Sequence, residues 1–131
     1  MDELEFAEQV LLVAEHLRIL PGNREIINRF IVSKLYYAAH HLGRLLLKKR
    51  GENPDAWSGE VHRRVIDELL AKFVTTRILT SETVRHLDIL RAKRVKADYF
   101  LNRRFQREEI DKIFRLYREF LDEVRNILPA I

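Results

Sequence analysis

The chain contains no cysteine. That excludes a disulfide framework, a thiolate metal centre and a thiol nucleophile. Only four glycines and three prolines interrupt 131 residues. So few turn-formers favour a handful of long helices over many short strands. No apolar run reaches the ~18 residues of a membrane span. The opening MDELEFAEQ is acidic and does not read as a secretory leader, so a cytoplasmic protein is expected. Also missing are H-E-x-x-H, the paired E-x-x-H of a di-iron bundle, a glycine-rich phosphate loop and G-x-S-x-G. His40 and His41 are neighbours, pointing ~100° apart on a helix, and cannot easily grip one ion. No metal and no cofactor are expected.

What is present suits one domain spanning residues 1–131, since an apolar fraction of 47% can fill a single core. The net charge of +4 is unevenly spread. Between residues 91 and 107, Arg91, Lys93, Arg94, Lys96, Arg103, Arg104 and Arg107 face Asp98 alone. Such clustering suits a polyanion: nucleic acid, a nucleotide or an acidic partner. The plainer reading of a charge run is a solvated face.

Apolar spacing of three and four residues predicts five helices. Asp2 and Glu5 have capping-box spacing, Leu4, Ala7, Leu11, Ala14 and Leu17 recur, and Pro21-Gly22 ends the first helix. Asn23 caps a second helix whose core face is Ile27, Ile31, Leu35, Ala38, Leu42 and Leu45. Lys48, Lys49 and Arg50 suit its C-terminal dipole, and Gly51 stops it. Ser58 caps a third helix carrying Val61, Val65, Leu69 and Phe73. Thr80 or Ser81 caps the fourth. The fifth repeats Ile110, Phe114, Tyr117, Leu121, Val124 and Leu128 up to Pro129. With short connections and no strand pattern, these make an all-α, five-helix up-and-down bundle, and dimerisation is plausible.

Leu90 to Tyr99, LRAKRVKADY, breaks the pattern. Val84, Leu87, Leu90, Val95 and Leu101 form its apolar stripe, yet Arg91, Arg94 and Asp98 fall inside that stripe. Buried charge is costly unless paired, and Arg94 and Asp98 are four apart, so they can meet. A second polar stripe, Arg29, Ser33, Tyr36, His40 and Arg44, runs along helix two with Tyr37 at its border. It could face solvent, a ligand or a second subunit. Arg guanidinium matches phosphate by charge and geometry, while Tyr and His can stack a base or move a proton. An Arg-Asp pair that only fixes helix register is the plain alternative.

Three segments, NRFIVSKLYYAAHHLGRLLL, EVHRRVI and LRAKRVKADYF, carry a family resemblance. They hold Tyr36-Tyr37-Ala38, then His62 after a loop, then Arg94 with Ala97-Asp98-Tyr99. In this order the chain resembles the HEPN domain family (higher eukaryotes and prokaryotes nucleotide-binding), above all its small stand-alone prokaryotic members, over roughly Ile26 to Leu128. The resemblance implies a helical bundle that forms a homodimer by pairing its motif helices. It also implies a toxin beside a nucleotidyltransferase-type antitoxin, and in many members a metal-independent endoribonuclease. There an Arg holds phosphate, and a His that follows after four to six intervening residues works on the ribose 2′-hydroxyl.

That His has no counterpart here. Lys96, Ala97 and Asp98 occupy the eligible positions after Arg91; Tyr99, Phe100 and Leu101 occupy them after Arg94. The expected function is therefore a module binding a nucleotide, RNA or an antitoxin-like partner. An endoribonuclease with a relocated acid or base is the second reading, and a purely structural helical dimer the third. Arg94, Asp98, Tyr99 and His40 are the candidate reacting groups. Arg91, Lys96, Tyr36, Tyr37, Arg29 and Ser33 are the candidate ligand contacts.

Overall fold

The computed structural model describes residues 1–131 and is all-helical. The helices are α1 (Glu3–Ile19), α2 (Arg24–Lys49), α3 (Val61–Leu69), α4 (Ser81–Tyr99) and α5 (Arg107–Ile127). A π turn, Leu70–Val74, extends α3, and short 3₁₀ turns lie at Pro54–Ala56 and Leu128–Ala130. None of these helices is long and apolar enough to cross a membrane.

Three helix starts follow from side-chain caps that satisfy otherwise orphaned N–H groups. Asp2 Oδ1 accepts from the Glu5 amide at 2.8 Å. Asn23 Oδ1 accepts from the Ile26 amide at 3.2 Å. Thr80 Oγ1 accepts from the Thr83 amide at 3.1 Å. The third helix departs from expectation. Ser58 does not cap it; Gly59 and Glu60 both turn left-handed, at φ 66° and 47°, and the helix begins at Val61 with no side-chain cap.

The long helix α2 is the axis, packing against α1, α3, α4 and α5. This explains why its burial is wider than one stripe. Ile31, Leu35, Ala38 and Leu42 are buried as expected, but so are Arg29, Tyr36 and His40 from the polar stripe. Gly43 permits the closest approach: a Cβ there would stand 3.0 Å from Val65 Cγ1 on α3. On the far side, Phe114, Tyr117, Phe120 and Val124 of α5 complete the core. The buried Tyr117 hydroxyl donates to the Ala7 carbonyl at 2.6 Å, tying α5 to α1.

The stripe of α4 ends earlier than its spacing suggests. Val84, Leu87, Leu90 and Ala97 are buried and Val95 half-buried, while Leu101 is 73% exposed beyond the helix end. The helix stops at Tyr99 because its last carbonyls are gathered by Arg29.

Candidate functional site

Arg29 and Arg94 are equally buried, at 8% exposure, and their hydrogen bonding could hardly differ more. The Arg29 guanidinium donates to the Ala97 carbonyl at 2.8 Å and the Lys96 carbonyl at 3.2 Å. It also reaches the carbonyls of Phe100, Leu101 and Arg103, and Glu25 Oε1 at 2.7 Å. Its five N–H donors are all committed to closing the end of α4. Arg29 therefore holds the fold together and has no donor left for a ligand.

Arg94 makes no hydrogen bond. Asp98 lies one turn on, with 3.6 Å between Arg94 Nη1 and Asp98 Oδ2, and is the only carboxylate paired with it. Three rings surround the guanidinium: its carbon is 5.4 Å from the centre of Tyr36, 5.5 Å from Tyr37 and 5.9 Å from Tyr99. These are cation–π distances. The Nε atoms of both Arg94 and Arg91 are buried without partners. Arg91 has neither a hydrogen bond nor an ion pair. Two arginines of one helix, a turn apart, thus keep donors that the protein itself does not use. Ser33 Oγ donates to Asp98 Oδ2 at 3.4 Å, steadying the acid from α2. A cavity of 300 Å³ lies beside it, lined by Arg29, Phe30, Ser33, Lys34 and Asp98.

Next to Arg94 sits an aromatic and imidazole cluster from α2 and α3. The rings of His40 and His62 are 4.4 Å apart centre to centre. Tyr36 and His62 meet through the Tyr36 hydroxyl and His62 Nδ1 at 2.6 Å. This is the one hydrogen bond of that buried hydroxyl. Were Nδ1 the donor, the phenolic hydrogen would be stranded, so Tyr36 donates and Nδ1 accepts. The neutral His62 ring then carries its proton on Nε2. Burial holds Tyr36 well above the usual phenol range, and Arg94 and Arg91 pull it only part of the way back. Burial first, then Arg94, Arg91 and Arg44, push His62 below the usual imidazole range. His40 is pushed down to about 3, chiefly by burial and then by His62 and Arg44, and its Nδ1 has no partner. Both imidazoles are neutral at pH 7.

The remaining predicted contacts separate. Lys96 turns away to α5, bonding Glu109 at 2.8 Å beside Lys93, with its ammonium 4.4 Å from the Phe105 ring centre. Tyr99 is 69% exposed and free to stack on a planar group. Tyr37 is half-buried, edge-on to His62 at 5.8 Å. Tyr36, Tyr37, His40, Arg91, Arg94, Asp98 and Tyr99 therefore share one region, while Arg29 and Lys96 serve the scaffold. His62 is the member that spacing alone did not select as a site residue. Its signals were its place in the first turn after the loop and its part in the family resemblance.

Chemically the region offers unfilled guanidinium donors, an Nε2–H donor, one carboxylate and exposed aromatic surface. That set fits an oxyanion with a planar group attached. No protein-family model matches this chain, and no curated protein matches it.

Proposed function

We propose that the protein is a HEPN-like module that binds the phosphate of a nucleotide or of single-stranded RNA through Arg94 and Arg91. One observation carries the reading: a buried guanidinium with an Asp at 3.6 Å and no hydrogen bond of its own. Buried donors in folded proteins are nearly always satisfied, and those that are not point to a ligand or to water. Many unrelated chains form five-helix bundles, so the weight falls on this site and not on the fold.

Homodimer pairing belongs to the same proposal. Phe30 on α2 is 60% exposed, and Tyr99, Phe100 and Leu101 at the end of α4 are 69%, 42% and 73% exposed. They lie on the surface over the buried Arg29 and beside Asp98, and apolar surface of that kind is a common partner face. A nucleotidyltransferase-type antitoxin is the proposed alternative occupant of the module's surface.

The endoribonuclease reading keeps one specific support. His62, fixed by the Tyr36 hydroxyl at 2.6 Å, adjoins the arginine that would hold phosphate and supplies the imidazole missing from the positions after Arg91 and Arg94. Incubating the protein with labelled RNA in a chelator separates the readings. Binding without cleavage, lost in Arg94→Gln, supports the module. Cleavage abolished by both Arg94→Gln and His62→Ala makes it an enzyme. Binding that is identical in Arg94→Gln removes both.

A further inference from the structure

A second cleft lies away from the Arg94 region, where the end of α1, the start of α2 and the start of α5 converge. Its volume is 550 Å³, within the ~300–1,000 Å³ common for small-ligand sites. Arg18, Arg24, Asn28, Arg107, Glu15 and Asp111 line it. The acids are already occupied: Glu15 pairs with Arg118 at 2.7 Å, and Asp111 with Arg18. Two cations remain without a carboxylate. Arg24 spends its donors on the carbonyls of Leu17 and Leu20 at the end of α1, and Arg107 has no partner at all. Arg107 is also the first residue of α5, whose N-cap, Gln106, makes no side-chain cap bond. The Glu109 and Ile110 amides bond the Gln106 carbonyl, which leaves the Arg107 and Glu108 amides without a backbone partner at that helix end.

Independent of the helix end is Asn28. It is 6% exposed, it lines the cleft, and its side-chain amide makes no hydrogen bond within the protein. Its amide, with two donors and an acceptor, opens into the cleft free to take a partner, and the surrounding charge selects an anionic one. We propose that this cleft binds a phosphate group, with Asn28 donating from its amide and Arg107 and Arg24 supplying the charge. It is separate from the Arg94 region and does not depend on that reading.

The test is an NMR titration of the isotope-labelled full chain, following the Asn28 side-chain amide, assigned by its absence from Asn28→Asp. Three probes are used: inorganic phosphate, a nucleoside monophosphate, and short RNA lacking terminal phosphates. Saturable shifts of the Asn28 amide at millimolar phosphate are expected, with affinity falling roughly tenfold in Arg107→Gln, the loss of one charge-assisted contact. Acetate at matched ionic strength should leave the amide in place. Tighter binding of the monophosphate than of the RNA marks a terminal phosphate; the reverse marks a chain backbone. Arg94→Gln should leave these shifts unchanged. An Asn28 amide that moves with none of the three probes, or equally with acetate, overturns the proposal. So does an Arg107→Gln protein that stays folded by circular dichroism and binds phosphate as before.

Discussion

Replacing Arg29 and Arg94 by Met, one at a time, should give opposite results although the two are equally buried. Met keeps the apolar stem and removes the charge and donors. At position 29 the loss includes the 2.8 Å and 3.2 Å bonds to the α4 carbonyls and the 2.7 Å contact with Glu25. Hydrogen bonds to a charged group are worth about 1.5–3 kcal/mol each, and removing one partner of a buried pair costs about 3–5 kcal/mol. Glu25 is 30% exposed and can be rehydrated, so the two carbonyl bonds dominate and the cost is about 3–5 kcal/mol. For a chain of this length each kcal/mol moves Tm by roughly 3–4 °C, so a fall of about 9–20 °C is expected. At position 94 no hydrogen bond is lost. The cation–π attraction that disappears, about 1–2 kcal/mol, is offset by no longer burying a poorly paired charge. Arg94→Met should therefore stay within about 1 kcal/mol of the parent while losing anion binding. Urea unfolding of both variants reads the difference. Equal, large destabilisation by the two substitutions would show that Arg94 is a strut, and the functional reading would go with it.

Stability should fall as pH is lowered from about 7 to 5. The reason is His40, whose folded pKa of about 3 lies below its ordinary 6.5. Its contribution is complete above the unfolded value and drains away below it, at up to about 1.4 kcal/mol per pH unit. His62 and His41, both lowered mainly by burial, act in the same direction. His40→Phe should flatten that dependence in chemical denaturation; an unchanged slope would mean that His40 is not the buried base. Gly43→Ala gains about 1 kcal/mol in helix propensity but meets Val65 at 3.0 Å and Leu69 at 3.3 Å. Overpacking costs about 1–3 kcal/mol, so a net loss is expected, recovered in the Gly43→Ala, Val65→Ala double variant. A Gly43→Ala protein more stable than the parent contradicts this. Asp98→Ala should cost under about 1 kcal/mol, because its ion pair is long and half in water; a loss of several would restore the register-lock reading.

Local signals were legible in the sequence. Asp2, Asn23 and Thr80 cap the helices they precede, and the i, i+4 spacing of Arg94 and Asp98 does bring them together. What failed to show was anything set by distant partners. Arg29 looked like a ligand contact, since nothing local reveals that its donors meet carbonyls about seventy residues on. Lys96 looked available until α5 brought Glu109 beside it. Ser58 has the chemistry of a cap, but two left-handed residues after it delay the helix. His62 meets Tyr36 through the packing of α3 on α2, where Gly43 leaves room for Val65 and Leu69.

The most direct test of Arg94 and Arg91 as phosphate holders is the salt dependence of single-stranded RNA binding, read by fluorescence anisotropy. Each phosphate neutralised on a single strand contributes about 0.7 to the slope of log affinity against log salt. Arg94→Gln should weaken binding and lower that slope by about 0.7, and Arg91→Gln should do the same. RNA binding with an unaltered slope in both variants, or no binding of RNA or nucleotide by the parent at low salt, would contradict the account.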